Sequence, residues 1–300
     1  MEEQSLISYG ELAALLSASI WAITSLILKT LTEKYPAALI TSIRCGVAAL
    51  LFWCWLPFDA PLSNYATVPA NEWFLLIGSV VLGIVIGDQL YLHALKEMGI
   101  SRTMALVGTF PITTLIWEQL LLDLPASQTF VIGCLLAASG VIILSYQSHQ
   151  DKENQTDKPI RLRRGVIFSL SAAMLWGLST TLLKPAIVHL STVQANSIRL
   201  PLVTLCLMIV WRLNKGRGRL RDIEWKSLML IITSGLLGMG IGSFFYLEAV
   251  VHIGPAKTAT LSAATPVLSL MMGVIFLKEQ FTIRLLLGVA LCVIGVLLVL

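Results

Sequence analysis

Residues 79–91 read SVVLGIVIGDQLY, and residues 234–246, which lie 155 positions further along the chain, read SGLLGMGIGSFFY. Both stretches place a serine, two glycines and a tyrosine at intervals of four residues, at Ser79, Gly83, Gly87, Tyr91, Ser234, Gly238, Gly242 and Tyr246. On an α-helix such a row lies along one face, and a face of small residues lets a second helix approach closely within lipid. The stretches therefore predict a close-packed helix in each half of the chain, with Asp88 beside the first row. The alternative is that the glycines serve packing alone.

The same offset of 155 residues relates positions far outside these two rows. The matched residues are Trp21 with Trp176, Lys29 with Lys184, Gly133 with Gly288 and Gly140 with Gly295. Residues 42–44 and 197–199 also share the tripeptide Ser-Ile-Arg. One register held over so long a stretch indicates a duplicated unit. We predict a first repeat at 10–146 and a second repeat at 165–300, joined by a polar linker at 147–164 that carries charges of both signs.

The composition is that of an integral membrane protein, because 56% of the 300 residues are hydrophobic and only 13% are charged. A helix needs about 20 apolar residues to cross the hydrocarbon of a bilayer. Runs of that kind fall near residues 10–31, 38–58, 73–95, 103–122, 129–146, 165–189, 195–213, 227–251, 257–277 and 283–300. The sequence therefore predicts an all-α fold with ten transmembrane helices, five in each repeat.

The distribution of positive charge predicts the orientation of these helices. The connections after predicted helices 1, 3, 5, 7 and 9 hold 17 of the 21 Lys and Arg residues. Because such an excess marks cytoplasmic loops, we expect the 5–6 and 7–8 loops in the cytoplasm and both termini outside. The basic run from Arg212 to Lys226 is explained by this orientation, and we expect no nucleic-acid partner.

The odd number of helices per repeat has a topological consequence. A second repeat of five helices must enter the membrane from the side opposite to the first. The sequence therefore predicts an inverted-topology pair, an architecture that places a central site near the midplane where the two repeats meet.

Several segments together resemble a known family. They are Gly242-Ser243-Phe244-Phe245-Tyr246, Gly254-Pro255-Ala256, Thr265-Pro266-Val267, Leu277-Lys278-Glu279 and, in the first half, Gly87-Asp88-Gln89-Leu90-Tyr91. This tandem pattern is similar to that of the EamA-type transporters of the drug/metabolite transporter superfamily. The resemblance implies two five-helix repeats and carrier activity on a small metabolite, often outward. The first half departs from the family at Asp123-Leu124, where a Gly-Glu pair is expected.

Four charged residues within apolar runs are candidates for charge or proton coupling: Asp88, Glu118, Arg44 and Arg199. A lone charge in lipid costs on the order of 3 kcal/mol or more, so each should face a cavity or a partner. Asp88 either couples protons or contacts substrate, or it forms a structural hydrogen bond with a helix backbone. Glu118 either exchanges a proton or is a protonated acid packed against a neighbour. The arginines bind an anionic substrate group, pair with the acids, support both halves structurally, or extend to the interface.

Polar and aromatic residues near the middle of the predicted helices are candidates for a substrate cavity. They are Trp21, Thr24, Ser25, Tyr91, Trp176, Ser179, Thr180, Ser243 and Tyr246. Tryptophan usually lies at the membrane interface, so its position mid-helix indicates either an amphipathic cavity or ordinary packing. We predict that Gly83, Gly87, Gly238 and Gly242 pack helices together.

No pattern of a cofactor, metal or catalytic site is recognisable in the sequence. The five cysteines all fall in apolar runs without metal or redox spacing, so we predict buried apolar side chains. We expect a secondary transporter of the plasma membrane rather than an enzyme, with a small metabolite such as an amino acid and membrane lipid as its partners. Export and proton coupling are further expectations. A membrane enzyme and a lipid flippase are the alternatives, and the oligomeric state stays open.

The predicted orientation can be tested by labelling single cysteines in a variant whose five native cysteines are replaced by serine. Gln155→Cys in the linker and Arg217→Cys in the basic run should react with an impermeant maleimide only from the cytoplasmic side. Ser63→Cys, in the connection between predicted helices 2 and 3, should react only from outside. Labelling of positions 155 and 217 from opposite sides would contradict the predicted topology.

Overall fold

The computed structural model describes residues 8–32, 34–145, 158–213, 223–265, 267–268 and 283–300. Regular structure in these ranges is helical throughout, with no strand. The first half contains α1 (Tyr9–Thr32), α2 (Ala37–Asp59), α3 (Asn64–Thr67), α4 (Ala70–Val80), π1 (Val81–Gly87), α5 (Asp88–Val107), α6 (Phe110–Leu122) and α7 (Gln128–Ser145). The second half contains α8 (Lys158–Ala186), α9 (Thr192–Leu213), α10 (Trp225–Ser234), π2 (Gly235–Gly242), α11 (Ser243–Ile253), α12 (Pro255–Ser262) and α13 (Ile283–Val299).

Nine apolar helical segments occur in the described residues. Five are long and apolar enough to cross a membrane, by length and composition: Ala37–Asp59, Ala70–Tyr91, Leu162–Ala186, Thr192–Leu213 and Trp225–Ile253. Four are shorter: Tyr9–Thr24, Phe110–Leu122, Gln128–Ile143 and Leu286–Val299. These segments overlap nine of the ten predicted runs. Of the remaining run, predicted near 257–277, residues 266 and 269–277 lie outside the described residues.

The third predicted helix of each half is not a regular α-helix. It contains the π-helical segment π1 in the first half and π2 in the second, at positions that the offset of 155 relates. Backbone hydrogen bonds there reach back five residues, from Asp88 N to Gly83 O and from Ser243 N to Gly238 O. The helices predicted near 73–95 and 227–251 are present, but the sequence did not predict the π-helical segments within them. A small-residue row at intervals of four does not distinguish the two helix types.

The runs predicted near 73–95 and 103–122 are not separated by a helix break at residues 96–102. Helix α5 continues through these residues to Val107, and the break comes before Phe110. The second half does break at the equivalent position, where Gly254 has a φ of +84°. The following residue, Pro255, has no N–H and begins α12 at its first position. The first half has Ile100 there, which can continue a helix, so the two halves differ.

Two pairs of equivalent helices, α2 with α9 and α7 with α13, pack against each other across the two halves, and α2 and α9 run antiparallel. Between α2 and α9, Trp53 Nε1 donates to Ser197 O at 3.0 Å, and Thr204 Oγ1 donates to Ser42 O at 3.4 Å. Between α7 and α13, Gly133 lies against the backbone of Gly295, and Gly140 lies against that of Gly288. The order of these contacts shows that α7 and α13 run antiparallel. Two further contacts are reciprocal, because α1 packs on π2 and α11 while α8 packs on π1 and α5.

Apolar side chains fill the remaining space between these helices. Phe52, Leu200 and Leu207 are fully buried between α2 and α9, together with Cys45. Cys134 and Cys292 are buried as predicted, whereas Cys54 is exposed on α2 and Cys206 is half-buried. The prediction of five buried cysteines was thus wrong for two of them. An apolar run does not reveal which of its faces points out of the bundle.

Glycines bring α7 and α13 into backbone contact. A Cβ atom added to Gly295 would lie 2.4 Å from Ala137 N, and one added to Gly140 would lie 2.6 Å from Gly288 O. Both distances are far below van der Waals contact with backbone atoms that cannot rotate away. Side chains at these positions would therefore force the two helices apart.

We predict that Gly295→Ala lowers the free energy of unfolding by about 1 to 3 kcal/mol, the usual effect of overpacking. The measurement is the thermal midpoint of the purified protein in detergent. Gly78→Ala is the matched control, because no atom lies within 4 Å of the added Cβ. Alanine favours a helix by about 1 kcal/mol over glycine, so this control should be unchanged or slightly stabilised. Equal destabilisation by both substitutions would contradict the assigned packing.

Candidate functional site

Trp21 on α1 lies against π2 of the other half. Its Nε1 donates a hydrogen bond to Gly238 O at 2.9 Å, and its ring centroid lies 5.0 Å from that of Tyr246. A Cβ atom added to Gly242 would lie 2.8 Å from Trp21 Nε1. The absence of a side chain at Gly242 therefore allows the indole to lie on the helix backbone.

Trp176 on α8 occupies the equivalent position against π1. Its Nε1 donates to Asp88 Oδ1 at 2.9 Å, and its ring centroid lies 5.4 Å from that of Tyr91. A Cβ atom added to Gly87 would lie 3.0 Å from the indole, and one added to Gly83 would lie 2.3 Å from Ser179 Oγ. Each tryptophan thus packs on the glycines of the opposite half.

The two tryptophans differ in their hydrogen-bond acceptor. Trp21 bonds a backbone carbonyl, whereas Trp176 bonds the carboxylate of Asp88. The counterpart of Asp88 is Ser243, and Ser243 Oγ donates to Asn196 Oδ1 at 3.2 Å instead. One alternative for Asp88 was a structural hydrogen bond with a helix backbone. The observed partner is instead the indole N–H of Trp176.

The hydroxyl groups beside the tryptophans have partners within the bundle. Thr24 Oγ1 donates to Trp21 O at 3.1 Å, and Ser179 Oγ donates to Ser79 O at 2.7 Å. Thr180 Oγ1 and the Tyr246 hydroxyl form a hydrogen bond of 2.9 Å. The side chain of Ser25 lies outside the described residues. The bond from Ser179 joins the two halves, and Thr24 lies against Gly238 of the other half, whereas Thr180 and Tyr246 both belong to the second half.

Arg44 and Arg199 are both buried, with only 5% of each residue exposed. This excludes the alternative in which they extend to the membrane interface. Arg44 Nη2 donates to Ser234 O at 3.3 Å, and Arg199 Nη1 donates to Asn196 Oδ1 at 3.1 Å. Within the part of the chain that the structure describes, no carboxylate forms an ion pair with either guanidinium.

Glu118 caps the beginning of α12. Its Oε2 accepts the backbone N–H of Ala256 at 3.0 Å, which is one of the donors that a helix leaves free at its N-terminus. A Cβ atom added to Gly254 would lie 2.9 Å from Glu118 Oε1 and 3.5 Å from Lys184 Nζ. The carboxylate therefore lies close to a helix N-terminus and near a cation, which together stabilise negative charge. Asp88 and Glu118 have different partners.

Sequence reasoning missed a group of polar contacts between the two halves at the end of the bundle where α1 begins. Glu72 accepts from His189, with 2.6 Å between Oε1 and Nδ1, and Gln194 Nε2 donates to Pro61 O at 3.0 Å. The other contacts are Tyr65 with Ser197, Asp59 with Ser191, Tyr9 with Glu248, and Glu11 with Lys257. All of these residues lie at predicted helix ends or in the connections between predicted helices, which was the only available signal.

A separate cavity of about 140 Å³ lies between α2 and π2. Its lining consists of the apolar residues Leu51, Phe52, Trp55, Gly240, Ile241, Phe244 and Phe245. None of the candidate residues lines it. Among the described residues, no three or more His, Cys, Asp or Glu side chains come together to hold a metal ion.

Comparison with known proteins identifies the family. The sequence profile of the EamA-like transporter family matches residues 8–146 and again residues 163–300. The chain belongs to the EamA-like transporter family. This membership, with the apolar helices described above, indicates a multi-pass membrane transporter.

Similar curated proteins are named as transporters. An uncharacterized transporter of Bacillus subtilis is 23% identical over 297 residues, covering 96% of this chain and 92% of the relative. An uncharacterized transporter of Archaeoglobus fulgidus is 24% identical over 226 residues, covering 75% of each chain. A crystal structure with 16% sequence identity superposes with a TM-score of 0.81, covering 97% of this chain and 96% of the other. That structure shares the fold.

The capping role of Glu118 predicts different effects for two substitutions. Glu118→Gln keeps an oxygen acceptor for Ala256 N and should retain most of the stability. Glu118→Leu leaves that N–H without a partner and should lower the free energy of unfolding by about 1 to 2 kcal/mol, as loss of a helix cap does. Thermal unfolding in detergent measures both. Indistinguishable midpoints for wild type and Glu118→Leu would contradict the cap.

Proposed function

We propose that this EamA-like protein is a secondary carrier of a small solute, such as an amino acid or a related metabolite, in the plasma membrane. Two inverted five-helix repeats, 10–146 and 165–300, expose a central site to each side of the membrane in turn. The termini lie outside, the 5–6 and 7–8 loops lie in the cytoplasm, and the net direction is export. The substrate site lies at the junction between the repeats.

The observation that carries this proposal is the reciprocal contact of each tryptophan with the π segment of the opposite repeat. Trp21 contacts Gly238 and Gly242, and Trp176 contacts Asp88 next to Gly87. Irregular helical backbone within a membrane occurs where it is buried in protein or lines a cavity. In transporters with inverted repeats, such segments lie at the substrate site near the midplane. The antiparallel packing of α2 on α9 supports the inversion.

Polar contacts between the repeats supply a gate at the end where the termini lie. Glu72 with His189, and Glu11 with Lys257, each join one repeat to the other. Rocking of the repeats about the junction of α2 and α9 would break these contacts and open that end. The buried apolar contacts along α2 and α9, which do not depend on specific polar partners, can persist during such a motion.

Asp88 is the residue that we propose for proton coupling. Its carboxylate lies at the junction, where it accepts from Trp176 Nε1. Protonation of Asp88 would weaken this charge-assisted bond between α8 and α5 and thereby favour one arrangement of the repeats. Glu118 is a less suitable coupling group, because its carboxylate is occupied by the backbone of α12.

The test is transport by the purified protein in proteoliposomes, with a panel of radiolabelled amino acids in counterflow and under an imposed proton gradient. Wild type should accumulate at least one solute in response to the gradient. Asp88→Asn should keep counterflow and lose the response to the gradient, whereas Glu118→Gln should keep both.

Two outcomes contradict parts of this proposal. Gradient-independent transport in wild type and in the Asp88→Asn, Glu118→Gln double variant would remove the coupling step. Movement of labelled lipid headgroups without solute flux would indicate a flippase, and a chemically altered product without translocation would indicate an enzyme.

A further inference from the structure

The duplicated sequence provides an internal comparison for its two buried arginines. Arg44 and Arg199 occupy equivalent positions in the same Ser-Ile-Arg setting. The first half also holds an acid, Asp88, at its junction with the second half. The equivalent of Asp88 in the second half is Ser243, a neutral residue. The second half therefore has no acid at this position to balance Arg199.

The surroundings of Arg199 are rich in hydrogen-bond donors. Asn196 Oδ1 accepts from both Arg199 Nη1 and Ser243 Oγ, at 3.1 and 3.2 Å. These two bonds identify the accepting atom as the amide oxygen, so the other end of the amide is the donor Nδ2. Asn196 Nδ2 has no hydrogen-bond partner among the described residues. Arg199 Nε also has none there, and the same is true of Arg44 Nε, so the unpaired amide of Asn196 is what distinguishes the second half. Asn196 is completely buried, and Arg199 is 95% buried, as its 5% exposure shows.

Leaving Asn196 Nδ2 and Arg199 Nε unpaired in a buried site is costly unless a further group accepts hydrogen bonds from them. A buried charge is stable only when it is paired or fully hydrogen-bonded, and an unpaired buried donor costs about 1 to 3 kcal/mol. Two donors of this kind beside an uncompensated cation require an acceptor with negative charge. A carboxylate fits best, because a guanidinium binds its two oxygens with two parallel hydrogen bonds.

We infer that Arg199 and Asn196 bind the carboxylate group of the transported solute. Arg199 supplies the charge, Asn196 Nδ2 supplies a further donor, and Ser243 orients the amide. Trp21 and Tyr246, whose ring centroids are 5.0 Å apart, lie on the same repeat junction. This inference rests on the proposed carrier function and narrows its substrates to carboxylate-bearing solutes.

Ligand binding by the purified full chain in detergent tests the inference without transport. The probes are the proteinogenic amino acids, lactate, succinate and inorganic phosphate, screened by the shift in thermal midpoint and then measured by calorimetry. For each amino acid that binds, the corresponding amino-acid amide is measured as well. At least one carboxylate should bind, and its amide should bind about 10-fold to 100-fold more weakly, the usual effect of losing hydrogen bonds to a charged group.

Three variants separate a direct contact from a structural role. Arg199→Gln should weaken carboxylate binding about 10-fold to 100-fold and leave binding of the amide unchanged. Ser243→Asp places a carboxylate beside Asn196 and Arg199, so it should fold with an unchanged or raised thermal midpoint and lose carboxylate binding. Arg212→Gln is the matched control, because Arg212 lies exposed in the last turn of the same helix, and it should change nothing.

The outcomes distinguish this inference from the carrier function. Equal binding of an amino acid and its amide, preference for phosphate over every carboxylate, or undiminished carboxylate binding by Ser243→Asp would overturn the inference. Flux of uncharged solutes, with no carboxylate bound, would also overturn it while leaving the carrier function intact. Carboxylate binding that depends on Arg199, without flux in proteoliposomes, would support the site and contradict the carrier.

Discussion

The structure depends on the bare backbone that glycine leaves on the third helix of each half. Any side chain at Gly87 or Gly242 would occupy the space of a tryptophan from the other half. Each tryptophan fills this space with its indole ring and donates its N–H to an acceptor on the helix that the ring covers. Within a membrane an unpaired polar group is costly, so the two halves hold each other in register. The remaining contacts, between α2 and α9 and between α7 and α13, extend the same junction outwards.

The places where the two halves differ are more informative about function than the places where they agree. Shared residues such as Trp21 and Trp176 maintain the junction. Asp88 has become Ser243 in the second half, and the helix break at Gly254 has no equivalent at Gly99. A duplicated scaffold that needed only to pack would have no reason to place one acid in one half. These differences make the two sides of the junction unlike each other.

The sequence predicted the duplication and the apolar segments, because both are properties of composition and spacing. It could not predict the π segments, since Ser79, Gly83 and Gly87 have the spacing of an ordinary α-helical face. It identified Glu118 without its partner, because the N–H of Ala256 lies 138 residues away and depends on the tertiary fold. The contact of Glu72 with His189 was missed for the same reason. Single polar residues at helix ends carry no spacing pattern, so only the assembled bundle reveals which of them meet.

The π segments have a mechanical consequence. Their hydrogen bonds span five residues where those of an α-helix span four. If one π-helical turn changed to α-helical hydrogen bonding, that turn would contain one residue fewer. The part of the helix that follows would then rotate by about 100° around its own axis. In α5 this screw motion would carry Asp88 and Tyr91 away from Trp176 without unfolding a helix. Because π1 and π2 belong to different halves, such a change in one segment would leave the hydrogen bonds of the other in place.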